Sequence, residues 1–390
     1  MLVNTGLDNL LESPPDWITG KRLGLLFNPA SVDKDLTSAH IAIDRRFPGQ
    51  LTTLFSPQHG YHAARQDNMI ESEHLNDPDL GVPAYSLYSE TRIPTPEMFK
   101  DIDILLIDIQ DVGTRVYTFM YSMSYCMEVA KKTNKTICVL DRLNPIGGLT
   151  TEGNILRENC ASFVGRYPLP MRHGLTMAEL ARLFNEEYGI GCDLKIIPMT
   201  GWNRSMFYEE TNLTWIPPSP NLPMVESAVV YPGQVIWEGT NISEGRGTTR
   251  PFEIFGAPYL DTHALLEELH PREVPGAVLR PVAFEPLFNK WAGQLCHGFH
   301  IHVTDRKAFK PYLTALRFLS AFIKLYPNDF AWKQPPYEYE YHRLPMDLIL
   351  GDREIREALE NQTSPFELES HWQDNLDAFV KTASRFHIYQ

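Results

Sequence analysis

Short apolar runs punctuate the first half of the chain, and each stops at a polar or proline-bearing turn. RLGLLF (22–27) closes at Asn28-Pro29, LTTLF (51–55) at Ser56-Pro57, and IDILLIDI (102–109) at Gln110-Asp111-Val112-Gly113. TICVL (136–140) runs into Asp141-Arg142-Leu143-Asn144-Pro145, and LKIIP (194–198) is a fifth such run. Between the third and fourth, residues 117–132 carry apolar positions at helical spacing and end in lysines. Continuous apolar strands alternating with helices predict a mostly parallel sheet covered on both faces, the doubly wound α/β class.

The polar residues gather just after these runs: Asn28, Gln58, His59, Asp108, Gln110, Asp111, Asp141, Arg142 and Asn144. In an open parallel sheet the carboxyl edge of the strands is where ligands bind. LTMAEL (175–180) reads as a capping box, with Thr176 as N-cap and Glu179 at N3, and Leu175 and Leu180 form a hydrophobic staple. That helix is expected to reach about Tyr188, with Gly189 at the C′ position. Arg172, His173 and Gly174 stand just before the cap. A positive helix end beside an arginine and a histidine suits a carboxylate or phosphate.

After WIPPSPNLP (215–223) the texture changes, since four prolines in seven residues (217, 218, 220, 223) favour a rigid extended connector. Beyond Asp261 the pattern predicts a helix over 262–269, a strand at HGFHIHV (297–303) and a long amphipathic helix over about 307–325. This reads as a second, smaller α+β domain. The division is placed at 1–228 and 229–390.

Composition narrows the function classes. Of 390 residues, 43% are hydrophobic, enough for two packed domains and against disorder. A formal net charge of −14 disfavours nucleic acid and anionic membrane as partners. No stretch reaches the roughly 18 apolar residues of a membrane span. The N-terminus lacks a secretion signal, so a cytoplasmic location is expected. Five scattered cysteines form no CxxC pair, so neither a zinc site nor a disulfide framework is indicated.

WEGTNISEGRGTTR (237–250) is the segment least suited to a core. It holds neither a Walker loop nor a GxGxxG fingerprint. What remains is Glu238 and Glu244, six residues apart, with Asn241 and Ser243 between and Arg246 close behind. Paired carboxylates serve general acid/base work on glycosidic bonds, and an adjacent arginine keeps one of them ionised. A salt-bridged structural loop is the competing reading. SPQHGYH (56–62) places His59 and His62 at i, i+3, but acidic ligands at metal-site intervals are missing. His59 is expected to act in hydrogen bonding or proton transfer. His300 and His302 share one face of the predicted strand, and His297 does not.

Several long blocks resemble one family. They are FSPQHG (55–60), DILLIDIQDVGTRVYTFMYSM (103–123), VLDRLNPIGG (139–148) and SFVGRYPLPMRHGLTMAELA (162–181), followed by WIPPSPNLP, YPGQVIWEGTNISEGRGTTRPFEIFGAPY (231–259) and HIHVTDR (300–306). Together they are similar to the exo-β-N-acetylmuramidases of the NamZ type, once catalogued as DUF1343. The resemblance implies a Rossmann-like N-terminal domain and a smaller C-terminal domain flanking a cleft. It also implies exo-release of N-acetylmuramic acid from the non-reducing end of MurNAc-β-1,4-GlcNAc fragments in peptidoglycan recycling, without a cofactor. Many members of that family read Pro-Glu-His-Gly where this chain has Pro57-Gln58-His59-Gly60, and glutamine cannot exchange a proton usefully near pH 7.

The catalytic expectation therefore shifts to Glu238 and Glu244, with Asp111 and His59 as further candidates. Glu244, paired with Arg246, is expected to be the ionised member; Glu238, nearer Ile236 and Trp237, is expected to be the acid. Arg172 and His173 would suit the lactyl carboxylate. Asp141, Arg142 and Asn144 would position hydroxyls and the N-acetyl group, with Gln58 and Asn241 as added contacts. Two other readings stay open: a non-catalytic muropeptide- or sugar-binding protein, and a metal-dependent amidohydrolase using His59 and His62.

Overall fold

The computed structural model describes residues 2–66, 69–270 and 274–390. Its first part contains α1 (Gly6–Glu12), β1 (Leu23–Phe27), α2 (Ala39–Arg46), β2 (Leu51–Ser56), β3 (Leu75–Asn76), β4 (Pro83–Ser86), β5 (Ile104–Asp108), α3 (Phe119–Thr133), β6 (Thr136–Leu140), α4 (Met177–Arg182) and β7 (Asp193–Ile197). The strands form one sheet in the order β3-β4-β2-β1-β5-β6-β7. Every pair is parallel except β3 with β4. The chain winds outward from β1 through β2 and β4, returns to β5, and winds the other way, which is the doubly wound topology the apolar runs predicted. Central β1 and β5 are buried along their whole length, consistent with helices on both faces.

The second part contains α5 (Val225–Gln234), β8 (Ile254–Ala257), α6 (Thr262–Leu269), β9 (Ala277–Phe284), β10 (Cys296–Val303), α7 (Pro311–Leu325), α8 (Pro345–Leu350), α9 (Arg353–Glu360) and α10 (Pro365–Ala383). Its sheet is antiparallel, in the order β8-β10-β9. Phe299 and Ile301 of β10 face the core, while the rings of His300 and His302 lie 3.9 Å apart on the other face. The short elements α2, β3, β4 and α5 carry too little periodicity to be read from the sequence. Residues 228 and 229 fall inside α5.

One hydrophobic cluster runs through both parts without a break, from Phe55 and Leu105 under the first sheet to Phe255 and Phe318 under the second. A buried cap joins the two parts. Glu152 accepts the Leu313 amide at 2.9 Å, so a carboxylate from the first part caps the start of α7. Within the second part, helix α5 crosses α7 at Gly233, where an added Cβ would meet the Pro311 carbonyl oxygen at 2.0 Å. Only glycine permits that approach. Gly233→Ala is expected to cost about 2 kcal/mol or more, as overpacking does, read as a lowered thermal midpoint. A midpoint equal to wild type would show that the crossing is looser than described.

Candidate active site

The site begins where α5 ends. A turn of 3-10 helix, Val235–Gly239, carries Trp237 and Glu238. Trp237 is fully buried, stacked on Phe255 at 5.2 Å, and donates its indole N–H to Gln234 at 2.9 Å. Anchoring the indole fixes its neighbour Glu238. The segment then runs beside β8, where Ser243 and Gly256 exchange backbone hydrogen bonds of 2.8 and 3.0 Å. Gly245 and Gly247 both have positive φ (78° and 79°), and a Cβ at either would collide with a carbonyl oxygen at 2.5 or 2.6 Å. These two glycines let the chain curl tightly enough to turn Arg246 inward.

Arg246 is the hub. Its Nη2 lies 2.7 Å from Glu238 Oε1, its Nε 3.1 Å from Glu244 Oε1, and its Nη1 donates to the Gln66 carbonyl at 2.8 Å. All three side chains are nearly sealed, with exposures of 6% for Arg246, 5% for Glu238 and 2% for Glu244. Glu244 also meets Lys290 Nζ at 2.8 Å, and that lysine donates to the Trp237 and Ile242 carbonyls as well. Glu238 Oε2 accepts from the Tyr337 hydroxyl at 2.7 Å. Burial opposes ionisation of Glu238, yet the Arg246 guanidinium and the two hydrogen bonds outweigh it and hold its pKa below the usual carboxylate range. Glu238 is therefore held ionised, which differs from the acid role expected from its apolar neighbours Ile236 and Trp237.

Glu238 and Arg246 form the wall between two spaces. On one side lies a narrow pocket of about 30 Å³ bounded by Gln58, His59, Tyr117, Tyr231, Phe252 and Glu338, among others. That is room for one or two water molecules. On the other side is an open groove of about 250 Å³, lined by Ile70, Glu244, Asn289, Lys290 and Lys333. Gln58 is held by both ends of its amide. Its carbonyl accepts from Thr118 at 2.7 Å, and its NH2 donates to Glu338 at 3.0 Å and reaches the Tyr88 hydroxyl at 3.2 Å. His59 places Nδ1 2.6 Å from the Arg65 carbonyl, and burial lowers its pKa to about 4, so it is neutral near pH 7.

The chain is similar to known proteins along nearly its whole length. The profile for "Exo-beta-N-acetylmuramidase NamZ, N-terminal" matches residues 23–226, and the corresponding C-terminal profile matches residues 229–389. The chain belongs to the NamZ family. A peptidoglycan beta-N-acetylmuramidase NamZ from Bacillus subtilis (strain 168) is 44% identical over 387 residues, covering 99% of this chain and 91% of that one. Two solved DUF1343-family structures from Bacteroides fragilis NCTC 9343 align with TM-scores of 0.89 and 0.77, at 33% and 27% identity. Each alignment covers 100% of this chain and 99% of the other.

Within this NamZ-family fold, the residues read from the sequence divide into two groups. Gln58, His59, Glu238, Glu244 and Arg246 converge on the wall and its two spaces. The others line neither space. The Asp141 carboxylate receives the Ala178 amide at 2.8 Å, the Thr176 hydroxyl at 2.8 Å and the Tyr389 hydroxyl at 2.6 Å. The start of α4 is thus occupied by the protein's own carboxyl group, whose pKa burial raises to about 7, and the capping box of Thr176 and Glu179 forms as read. Arg142 forms a buried pair with Asp108, with Nε 2.5 Å from Oδ1. Asn144 holds Leu175 and Ile146 of the backbone.

Arg172 donates to the Ile146 carbonyl. His173 accepts the Leu175 amide on Nδ1 and points Nε2 at Asp111 Oδ2, 3.2 Å away. Asn241 is spent on Asp329, Tyr259 and Ala331. Loop polarity drew these residues into the sequence reading, but the loops use them to satisfy buried backbone. Among the described residues, neither His59 nor His62 belongs to a group of side chains at metal-ligand proximity. Among the described residues the cluster with metal-ligand proximity is His40, Asp77 and Asp79. There Asp77 is already taken by Tyr61 and by the Asp79 and Leu80 amides.

Sequence reading missed Glu338, Tyr337, Lys290 and Lys333. QPPYEYEYHR (334–343) alternates charge with tyrosine and reads as a solvated surface. Asp141→Ala tests the reassignment of the sheet-edge residues. It strands two hydroxyls and an amide, so a loss of about 2–4 kcal/mol is expected in thermal or denaturant unfolding. Unchanged stability would return Asp141 to the list of free ligand-binding groups.

Proposed function

We propose that the chain is an exo-acting β-N-acetylmuramidase, releasing N-acetylmuramic acid from the non-reducing end of peptidoglycan-derived fragments. The observation that carries the reading is the ionised Glu238, clamped by Arg246 between a water-sized pocket and an open groove. Cleavage of a glycosidic bond develops positive charge at the anomeric carbon. A fixed carboxylate in a water-poor site stabilises that charge strongly. The groove supplies the place for the sugar, and the pocket supplies the place for the hydrolytic water. The family match and the named activity of the Bacillus relative support the same assignment.

The charges of the groove fit this sugar. Among the described residues, Arg246, Lys290 and Lys333 face Glu238 and Glu244, three positive groups against two negative, leaving one positive charge in excess. The two carboxylates are engaged by Arg246 and Lys290, so the excess resides on Lys333, whose Nζ sits 5.3 Å from the Tyr337 ring. The lactyl group of muramic acid carries one negative charge. Lys333 thus takes the role that the sequence reading gave to Arg172 and His173.

Gln58 favours a second reading, a sugar-binding protein without turnover, because an amide exchanges no proton. Product analysis with a MurNAc-β-1,4-GlcNAc disaccharide separates the two. Free N-acetylmuramic acid is expected from wild type. Glu238→Gln, which keeps shape and loses charge, is expected to lower kcat by about 10²–10³. Binding without product would establish the second reading, and wild-type turnover in Glu238→Gln would remove that carboxylate from the chemistry.

A further inference from the structure

Glu338 is placed as no surface-loop glutamate should be. It occupies a tight turn in which Tyr337 and Glu340 exchange backbone hydrogen bonds of 2.9 Å in both directions. The two central residues, Glu338 and Tyr339, have φ of 46° and 65°. Turns needing two positive φ values ordinarily take Asn-Gly or Gly-Gly. Each L residue with a Cβ in this region costs about 1–2 kcal/mol. Such strain persists only where surrounding contacts impose it, and it concentrates at functional sites.

The contacts that impose it are specific. Glu338 is 5% exposed and lines the narrow pocket together with Glu238. Its Oε1 accepts from Gln58 at 3.0 Å and its Oε2 from the Tyr88 hydroxyl at 2.6 Å. Both partners are neutral, whereas Glu238 is tied to a guanidinium. One pocket therefore holds a carboxyl locked in its anionic form and another left able to take or release a proton. Burial, reinforced by the nearby charge of Glu238, raises the Glu338 pKa to about 7. Tyr88, Gln58 and Arg92 pull the other way. Tyr231, Tyr337, His59 and Arg246 complete the titratable and charged surroundings.

We propose that Glu338 is the acid/base residue of this site, exchanging the proton that Gln58 beside it cannot. The proposal rests on the glycosidase reading above. Protonated Glu338 gives its proton, over the pocket water, to the glycosidic oxygen at the Glu238–Arg246 wall as the anomeric C–O bond breaks. The bonding electron pair stays on that oxygen, which leaves as a hydroxyl of the departing sugar. The resulting oxocarbenium centre is balanced by ionised Glu238. Water then forms the new bond to the anomeric carbon and returns a proton to Glu338, restoring both carboxyl groups.

Two substrates test this, the MurNAc-β-1,4-GlcNAc disaccharide and a 4-nitrophenyl β-muramide whose leaving group departs without protonation. For Glu338→Gln, kcat on the disaccharide is expected to fall by about 10²–10⁴. Turnover of the nitrophenyl compound should fall far less, and the alkaline limb of the wild-type pH profile near 7 should disappear. The same variant should unfold at an equal or higher temperature at pH 8. Above both the unfolded value and about 7, the wild-type carboxylate is ionised in both states and its burial is a full cost, which glutamine avoids.

Tyr88→Phe provides a second test. It removes a hydrogen bond to the ionised form, so the alkaline limb should move to higher pH. An equal loss on both substrates, wild-type rates in Glu338→Gln, or an unmoved limb in Tyr88→Phe would each overturn the assignment while leaving the muramidase reading standing. A wild-type enzyme inactive on both substrates would overturn both.

Discussion

One buried guanidinium sets the terms for the whole site. Two carboxylates sealed within a few ångströms of each other cannot both stay ionised in a low-dielectric interior without a cation between them. Arg246 supplies that cation, bidentate across Glu238 and Glu244, and Lys290 adds a second positive group behind Glu244. The same guanidinium holds the Gln66 carbonyl, which belongs to the loop after β2. The charge that keeps Glu238 ionised thus also ties the second part of the chain to the carboxyl edge of the first sheet. The loop that presents Arg246 can be this tight only because positions 245 and 247 are glycine.

From that clamp follows the asymmetry of the pocket. Glu238 and Glu338 share one small space, yet their surroundings push them in opposite directions. Arg246 and the Tyr337 hydroxyl favour the anion of Glu238, while burial among neutral partners favours the acid form of Glu338. Two carboxyl groups driven apart in this way are suited to two roles, one electrostatic and one proton-transferring. One strained turn places both: Tyr337 donates to Glu238, and the adjacent Glu338 is the second carboxyl group itself, which explains why the strain is tolerated there.

The first sheet was legible because fully buried parallel strands announce themselves as uninterrupted apolar runs, as 102–109 does. The capping box at Thr176 was equally plain, since its chemistry is local. The family resemblance was legible from uncommon blocks such as YPGQVIWEGTNISEGRG. The polar residues at the sheet edge are engaged inside the protein for a physical reason. Asp141, Arg142, Asn144, Arg172 and His173 look like a ligand-binding rim, but buried irregular loops need internal partners for their backbone, and these side chains provide them. Glu338 stayed hidden for the converse reason. Its meaning lies in φ values and in contacts with Gln58 and Tyr88, 280 and 250 residues away in the chain, and neither leaves a mark on local composition.

The central claim is that substrate engages the Glu238–Arg246 wall and not the edge of the sheet. A crystal structure with N-acetylmuramic acid bound tests it most directly. The account predicts the sugar in the groove lined by Asn289, Lys290 and Lys333, with its anomeric carbon against Glu238 and its lactyl carboxylate toward Lys333. Sugar density against Arg172 and His173, or at Asp141, would contradict it.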